Sequence, residues 1–164
     1  MRHILLPLVC AVALAGCDRH TEVHTVTIPG NGGTMTVSGN GQNYTVTGAS
    51  GKESVTVNSN GVNAAVLPGF VPMYPGAKID SSVVGMGDKG NGGTVILETS
   101  SPVADVIAFY KRKTSGSGFT ETMNMASAGT TMFTTTSGDK KNTVEVIASA
   151  SNGATHAQIV WSGN

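Results

Sequence analysis

Four short clusters favour β structure in the first third of the chain. Each begins with Thr-Val and ends in threonine, serine or asparagine, and glycine and asparagine separate them. Their β-branched side chains favour an extended backbone. Asparagine and glycine accept the positive φ angles that tight hairpin turns require. The clusters occupy residues 25–27, 36–38, 45–47 and 56–58, and Asn-Gly pairs lie at 31–32, 40–41 and 60–61. Residues 17–66 are therefore predicted to form a short-stranded β meander that docks on the rest of the chain, or a semi-flexible stalk.

A proline-rich stretch marks the start of a second domain, which is predicted to cover residues 67–164. Pro68, Pro72 and Pro75 fix φ and lower the entropy of an irregular segment. The apolar residues between these prolines indicate that the segment is pinned onto the domain. Beyond it, β-type runs alternate with glycine-rich turns. The predicted strands cover residues 79–86, 94–99, 119–126, 130–136, 143–149 and 155–162.

Between the second and third of these strands, the pattern changes to that of an amphipathic helix. Ser101 is predicted to be the N-cap and Pro102 the first helical residue, where a missing N–H does no harm. Residues 111–113, Lys-Arg-Lys, are predicted to lie in the last turn, where positive charge suits the helix dipole, and Gly116 and Gly118 end the helix. The buried face is formed by Val103, Val106, Ile107 and Tyr110, at spacings i, i+3, i+4 and i+7.

These patterns predict an α+β protein that is predominantly β. One helix packs on one face of an antiparallel sheet in the order β-β-α-β-β-β-β, and the short-stranded β-rich segment precedes this unit. The composition agrees, since there are 22 glycines and only 5% aromatic and 12% charged residues. The net charge is zero and the pI is about 6.9, which argues against nucleic acid as a partner.

The chain opens with a short hydrophobic run that ends abruptly. Met1-Arg2-His3 gives a small positive start, and residues 4–16 are 13 almost entirely apolar residues. A membrane-spanning helix needs about 20 such residues. The run therefore has the proportions of the hydrophobic region of a secretory signal peptide, predicted to cover residues 1–16.

The end of this run, Leu14-Ala15-Gly16-Cys17, resembles the lipobox of bacterial lipoprotein precursors. The resemblance implies that the Cys17 sulfur receives a diacylglyceryl group and that the peptide is cut between Gly16 and Cys17. Further fatty acylation of the new amine, by palmitate or a similar chain, would follow. Two or three acyl chains on one residue would give stable membrane anchoring. The resemblance also implies that Asp18 favours retention at the inner membrane. The outer membrane is the alternative location.

The C-terminal half carries a second resemblance. The stretch VPMYPGA, a glycine-rich hairpin and SPVADVIAFYKRKTSGSGF resemble a module of uncharacterised small bacterial envelope proteins with a Tyr-Pro-Gly-Ala element. This resemblance would cover roughly residues 68–164 and supports the fold without implying an activity. The chain departs from the pattern at Thr114-Ser115, late in the helix, where a leucine would be more usual.

Two motifs that carry chemistry elsewhere are interpreted here as turns. Residues 85–90 fit G-x-G-x-x-G, but a dinucleotide site needs a helix directly after this loop, and here a strand is predicted. Residues 137–140 fit S-x-x-K, but the serine would need to start a helix, and here a hairpin turn is predicted.

The histidines and carboxylates give no recognisable catalytic or metal-binding pattern in the sequence. His20 and His24 are four residues apart, but in a β-like segment with no visible third ligand. His156 is the single histidine of the second domain, and no nucleophile elbow accompanies it. We therefore predict no catalytic residues, no metal and no cofactor. The carboxylates of the second domain are scattered along it, at Asp80, Asp88, Glu98, Asp105, Glu121, Asp139 and Glu145.

The sequence thus favours a non-enzymatic bacterial envelope lipoprotein, attached to a membrane through Cys17, that presents a small α+β interaction domain to an envelope protein partner in the periplasm. Two alternatives stay open. The first is a small-ligand-binding or sensor domain with a groove between helix and sheet, and the second is a hydrolase with dispersed residues. The Lys-Arg-Lys cluster is either a solvated helix end or a contact to anionic headgroups or a partner. The groove would be lined by Phe70, Met73, Tyr74, Phe109 and Tyr110.

Overall fold

The described strands of the computed structural model form one ten-stranded sheet in which all neighbours are antiparallel. The structure describes residues 22–28, 33–39, 43–48, 50–59, 67–88 and 90–163. The spatial order is β1-β2-β3-β4-β5-β6-β10-β9-β8-β7. The elements are β1 Glu22–Ile28, β2 Gly33–Gly39, β3 Asn43–Thr47, β4 Ser54–Ser59, β5 Lys78–Gly87, β6 Gly90–Thr99, α1 Val103–Gly116, β7 Phe119–Ser127, β8 Thr130–Ser137, β9 Thr143–Ser151 and β10 Ala154–Gly163.

This architecture confirms the predicted fold class. The six strands and the helix beyond residue 77 follow the order β-β-α-β-β-β-β, and four short strands precede them. Strand β4 pairs with β5 along its whole length, from Ser54 opposite Met86 to Ser59 opposite Ser81, so the N-terminal strands extend the same sheet. The Asn-Gly pairs at 31–32, 40–41 and 60–61 lie outside the described residues.

The main hydrophobic core lies between the sheet and a cover made of α1 and the proline-rich segment. Helix α1 connects β6 to β7 and contacts β7, β8 and β9. Val71, from the proline-rich segment, is buried in the same cluster, which confirms that this segment is pinned onto the domain. The largest fully buried apolar side chains are Tyr110, Phe133, Leu97, Ile159, Val71, Val95, Val106, Val144 and Val146.

The helix begins one residue later than the sequence predicted. Pro102 is the N-cap, with φ −58° and ψ 149°, and Ser101 makes no side-chain cap. The proline holds an extended conformation, and its carbonyl oxygen accepts the N–H of Asp105 at 3.0 Å. Ser101 is instead held by its backbone: its N–H donates to Thr99 Oγ1 at 3.2 Å, and its carbonyl accepts the Thr155 hydroxyl at 2.7 Å. These two threonines fix the start of α1 on the sheet.

The helix end and the β5–β6 turn also differ from expectation. Of the three basic residues at 111–113, only Lys113 lies in the last turn, because the helix continues to Gly116. The turn between β5 and β6 is shorter than predicted, since β6 begins at Gly90 and the glycines that follow are paired with β5. Backbone pairing, which needs no side chain, is sufficient to keep these glycines in the sheet.

The face of the sheet that points away from α1 is called here the open face. On β5, β6 and β10, every second residue is buried under the helix and the proline-rich segment, so the residues between them lie on the open face. A β-bulge between Ile79 and Ser81 resets this alternation at Asp80. The open face carries several exposed apolar side chains, among them Tyr44, Val55, Val83, Ile96, Met123 and Met125.

Candidate functional site

The open face contains a shallow, mainly apolar concavity of about 610 Å³ near the β3–β4 and β5–β6 hairpins. This volume falls within the range of about 300–1,000 Å³ that is usual for small-molecule sites. Its lining comes from β3 to β6 and from the turn between β3 and β4. The lining residues are Val46, Gly48, Glu53, Ser54, Val55, Gly85, Met86, Gly87, Gly90 and Gly92.

The concavity exists because two successive residue pairs of β5 and β6 that face the open side consist of glycines and therefore carry no side chains there. Gly85 pairs with Gly92, and Gly87 pairs with Gly90. Alternation along each strand places all four glycines on the same face. The isopropyl group of Val55 stands beside them, because Val55 pairs with Gly85 across β4 and β5. The glycine motif that resembled a nucleotide loop is therefore a β-hairpin, as predicted, and it forms the floor of a depression.

Charged side chains stand at the hairpin ends beside this floor. Lys52, in the β3–β4 turn, forms an ion pair of 3.8 Å with Asp88, in the β5–β6 turn, and both side chains are about two-thirds exposed. Glu53 lines the concavity, and its backbone carbonyl accepts the N–H of Gly48 at 2.8 Å. An apolar floor with charges at one end suits a small amphipathic molecule.

The structure brings three of the five predicted groove residues, Tyr74, Phe109 and Tyr110, together in an aromatic cluster at the edge of the core. Phe109 packs edge-on against both Tyr74 and Tyr110, with ring centroids 5.0 and 5.1 Å apart. Tyr110 is buried, and its pKa is raised by that burial. Phe70 packs at 5.4 Å from Phe119, and Met73 is half-buried against the core.

A second depression, of about 300 Å³, touches only part of that cluster. It lies on the outer surface of α1 and includes Tyr74, Phe109 and Arg112, while Phe70, Met73 and Tyr110 are outside its lining. Of the five predicted residues, Tyr74, Phe109 and Tyr110 are thus neighbours, and all five use much of their surface in packing against the core. The concavity of the open face, on the opposite side of the sheet, was not predicted.

Three metal-ligand side chains from separate strands also meet on the open face. Asp80 of β5, Glu98 of β6 and His156 of β10 each place one ligand atom within 4.8 Å of the others, and all three side chains are half-buried. The sequence showed these residues only as scattered groups. Their convergence depends on the β6–β10 pairing, which sets His156 directly opposite Glu98, and on the bulge at Asp80.

The S-x-x-K motif is a turn, as predicted. The Ser137 hydroxyl donates to an Asp139 carboxylate oxygen at 2.5 Å and accepts the N–H of Asn142 at 2.9 Å. The bond from Ser137, with the backbone N–H of Lys141, holds the pKa of the Asp139 carboxyl below its usual range. Lys140 has a left-handed backbone, with φ 59°, and is exposed. The Ser137 hydroxyl therefore stabilises the β8–β9 hairpin turn through both of these hydrogen bonds.

The basic residues near the helix end make local contacts. Lys111 forms an ion pair of 2.8 Å with Glu121 on β7, and its ammonium lies 5.4 Å from the centre of the Phe133 ring. Lys113 lies 5.8 Å from the centre of the Phe109 ring. Arg112 is exposed and lines depressions on both sides of the helix.

The predicted lipid-attachment residue Cys17, the cleavage position Gly16 and the sorting residue Asp18 lie outside the described residues, as does His20. Among the residues that are described, no helix has the length and apolar character needed to cross a membrane.

Comparison with known proteins gives one similarity. Residues 80–158 match a protein-family model described as START domain-like. The matched segment begins at the bulge residue Asp80, includes the glycine hairpin and α1, and ends within β10. No curated protein and no solved structure matches the chain.

Proposed function

We propose that this chain is a non-enzymatic, lipid-anchored protein of the bacterial cell envelope whose folded part binds a small, mainly apolar ligand in the glycine-floored concavity of the open face. The concavity is the observation that carries the proposal. Its size, its apolar floor and the charged groups at one end suit a molecule with an apolar body and a polar end. The similarity of residues 80–158 to the START domain-like model favours a small-ligand-binding domain.

The membrane attachment rests on the sequence alone. Leu14-Ala15-Gly16-Cys17 stands at the end of a short positive start and an apolar run over residues 4–16, which is the arrangement of a lipoprotein precursor. Lipidated Cys17 is only five positions before the start of β1 at Glu22. The folded part would therefore stay close to the membrane surface and face the periplasm.

The binding site is tested by filling its floor. Gly85 has an ordinary backbone, and a Cβ placed there would come no closer than 3.9 Å to any neighbouring atom. Gly85→Val therefore places a side chain in the concavity, and its Cβ makes only ordinary van der Waals contacts. The probe is the fluorescent apolar anion 1-anilinonaphthalene-8-sulfonate, titrated with the folded protein. We expect saturable fluorescence enhancement by the wild-type chain and at least a tenfold weaker response by Gly85→Val.

The matched control is Gln158→Val, which also adds a valine to the open face but lies on β10, away from the concavity. This variant should bind the dye as the wild type does. Equal binding by all three proteins would show that the dye uses another surface and would contradict the proposed site. A response by Gln158→Val as weak as that of Gly85→Val would show that the effect is not specific to the concavity and would also contradict the proposed site.

The anchor is tested by density-gradient fractionation of wild type and Cys17→Ser. We expect the wild type to band with a membrane and the variant to accumulate as an uncleaved precursor. The membrane that the wild type joins then decides between inner and outer membrane and thereby tests the role of Asp18. Identical processing of both chains, with both in the soluble fraction, would overturn the lipoprotein assignment while leaving the binding site untouched.

A protein-interaction role is the second candidate, because the open face exposes apolar side chains well beyond the concavity. Val83 is 42% exposed, Ile96 37% and Met125 55%. A photo-crosslinking residue at position 96 would capture an envelope partner in living cells if this face docks on a protein. The same residue at position 113, on the helix side, is the control. A crosslink at 113 alone would place the partner on the other side of the sheet.

A further inference from the structure

We infer that Asp80, Glu98 and His156 form a binding site for one divalent transition-metal ion, with zinc as the reference ion. Each residue offers one ligand atom, and these atoms lie within 4.8 Å of one another. The set combines an imidazole nitrogen with two carboxylate oxygens. Imidazole favours zinc and neighbouring transition metals over calcium or magnesium, which prefer sites made of oxygen alone.

The backbone of the sheet holds the three residues in place. His156 and Glu98 are directly opposed on β10 and β6, and both side chains project from the open face because their neighbours Thr155, Leu97 and Thr99 are buried. Asp80 joins them through the bulge, where β5 has one residue more than β6. The site is therefore mounted on three adjacent strands and not on a loop, which limits the cost of ordering the ligands.

The spacing of the three side chains also suits ligation of one shared ion. Within the described part of the chain, none of the three is hydrogen-bonded or ion-paired to another residue. Ligand atoms about 2.1 Å from a zinc ion lie about 3.4 Å from each other in a tetrahedral arrangement. Two ligand atoms that are 4.8 Å apart are too far from each other for a direct hydrogen bond. Small rotations of the side chains would nevertheless bring all three ligand atoms to the distance that a shared ion requires.

One positively charged side chain, that of Lys78, belongs to the strand segment next to the cluster. Lys78 on β5 is the register partner of Glu98, so Glu98 lies between Lys78 and His156 in the sheet. The Lys78 side chain is exposed. Lys78 makes no ion pair with Glu98 among the described residues, so the Glu98 carboxylate can accept a cation. With three protein ligands, a fourth coordination position remains for water or for a donor atom of a bound molecule.

The test is isothermal titration of the membrane-extracted full-length protein with zinc chloride, followed by X-ray absorption at the zinc edge. We expect one zinc ion per chain and a first shell with one nitrogen ligand from imidazole and oxygen ligands. Loss of residues that merely orient a metal ligand weakens metal binding by about 10–100-fold. His156→Ala and Glu98→Gln, which remove ligands directly, should therefore weaken binding at least tenfold.

The controls separate this site from the other histidines. The double variant His20→Ala/His24→Ala should keep the wild-type affinity, and Glu98→Gln, which preserves size, guards against a loss caused by misfolding. Circular dichroism of each variant checks the sheet. Full zinc binding by His156→Ala, loss of binding in the His20/His24 variant, or no zinc bound by the wild type would each overturn the assignment. Dye binding in the concavity should be unchanged by Glu98→Gln, so the two sites can fail independently.

Discussion

The backbone of Gly93 lies directly against the indole of Trp161. A Cβ at position 93 would come within 2.5 Å of the ring atom Cζ2 and within 2.6 Å of the Val83 carbonyl oxygen. Trp161 is only 5% exposed, so the ring cannot move aside into solvent. The glycine in this strand is therefore required by close packing on the helix side of the sheet.

Gly93→Ala is expected to destabilise the protein by about 1–3 kcal/mol, because overpacking forces a shift of the ring or of the backbone. Urea denaturation followed by tryptophan fluorescence measures this change. The control is Gly69→Ala, where no atom lies within 4 Å of the added methyl group. Its midpoint should stay close to that of the wild type, and equal midpoints for both variants would contradict the packing argument.

The β7–β8 turn contains a conformation that its residue tolerates poorly. Ala128 has a left-handed backbone, with φ 47°, and Gly129 follows with φ 81°. This conformation costs an alanine roughly 1 kcal/mol, whereas asparagine adopts it more readily. Ala128→Asn should therefore raise the free energy of unfolding by about 0.5–1 kcal/mol. Ala126→Asn, on the adjoining strand, serves as the control and should give no gain; a gain at 126 equal to that at 128 would refute the turn explanation.

Tyr110 should make stability depend on alkaline pH. Burial of the phenol raises its pKa in the folded state, while a hydrogen bond from the Tyr74 backbone acts in the opposite direction. The unfolded chain releases this proton at about pH 10, but the folded chain retains it. Stability from this group is therefore complete below about pH 10 and falls as the pH rises further, by about 1.4 kcal/mol per pH unit.

Thermal unfolding of Tyr110→Phe between pH 8 and 11 tests this relationship. The variant should lose less stability over this range than the wild type does. Tyr44→Phe is the matched control, because it removes the same hydroxyl group from a side chain that is 42% exposed. Parallel pH profiles for wild type and Tyr110→Phe would show that the phenol does not carry the effect.

Two ion pairs among the described residues, Lys111–Glu121 and Lys52–Asp88, should differ in strength. The Lys111–Glu121 pair is 2.8 Å long with side chains 31% and 41% exposed, whereas the Lys52–Asp88 pair is 3.8 Å long and more exposed. Exposed pairs contribute little because water screens them and ordering long side chains costs entropy. Double-mutant cycles with alanine should give a coupling of about 0.5–1 kcal/mol for the first pair and below about 0.3 kcal/mol for the second. A larger coupling for the second pair would contradict this order.

The sequence predicted the strands and the helix well because their signals are local. β-branched runs, the i, i+3, i+4, i+7 spacing around Tyr110 and the Asn152-Gly153 turn, whose residues have φ 53° and 79°, each act over a few residues. The start of α1 was predicted one residue too early, since contacts from Thr99 and Thr155 hold Ser101 by its backbone. Those contacts join residues that are distant in sequence.

Both candidate sites were missed for a related reason. The concavity needs Gly85 opposite Gly92 and Val55 beside them, and the metal-ligand cluster needs β10 inserted next to β6. Neither pairing is encoded in a short window of residues. The same glycines were recognised as a motif, but their role on the sheet surface follows from register, which only the assembled ladder defines.

The strand order has a consequence for how the chain folds. Among the described strands, each neighbour in the sheet is also a neighbour in sequence, except at the seam where β10 joins β6. The hairpins on both sides of that seam can form early because their loops are short. The pairing of Thr155 with Thr99, in contrast, joins residues that are more than fifty positions apart in the sequence. Closing that loop precedes the gain from burying Ile159 and Trp161. Pairing of β10 with β6 is thus the expected slow step of folding. Before this pairing forms, the two partly folded halves of the sheet would expose unpaired strand edges, to which other copies of the chain could bind.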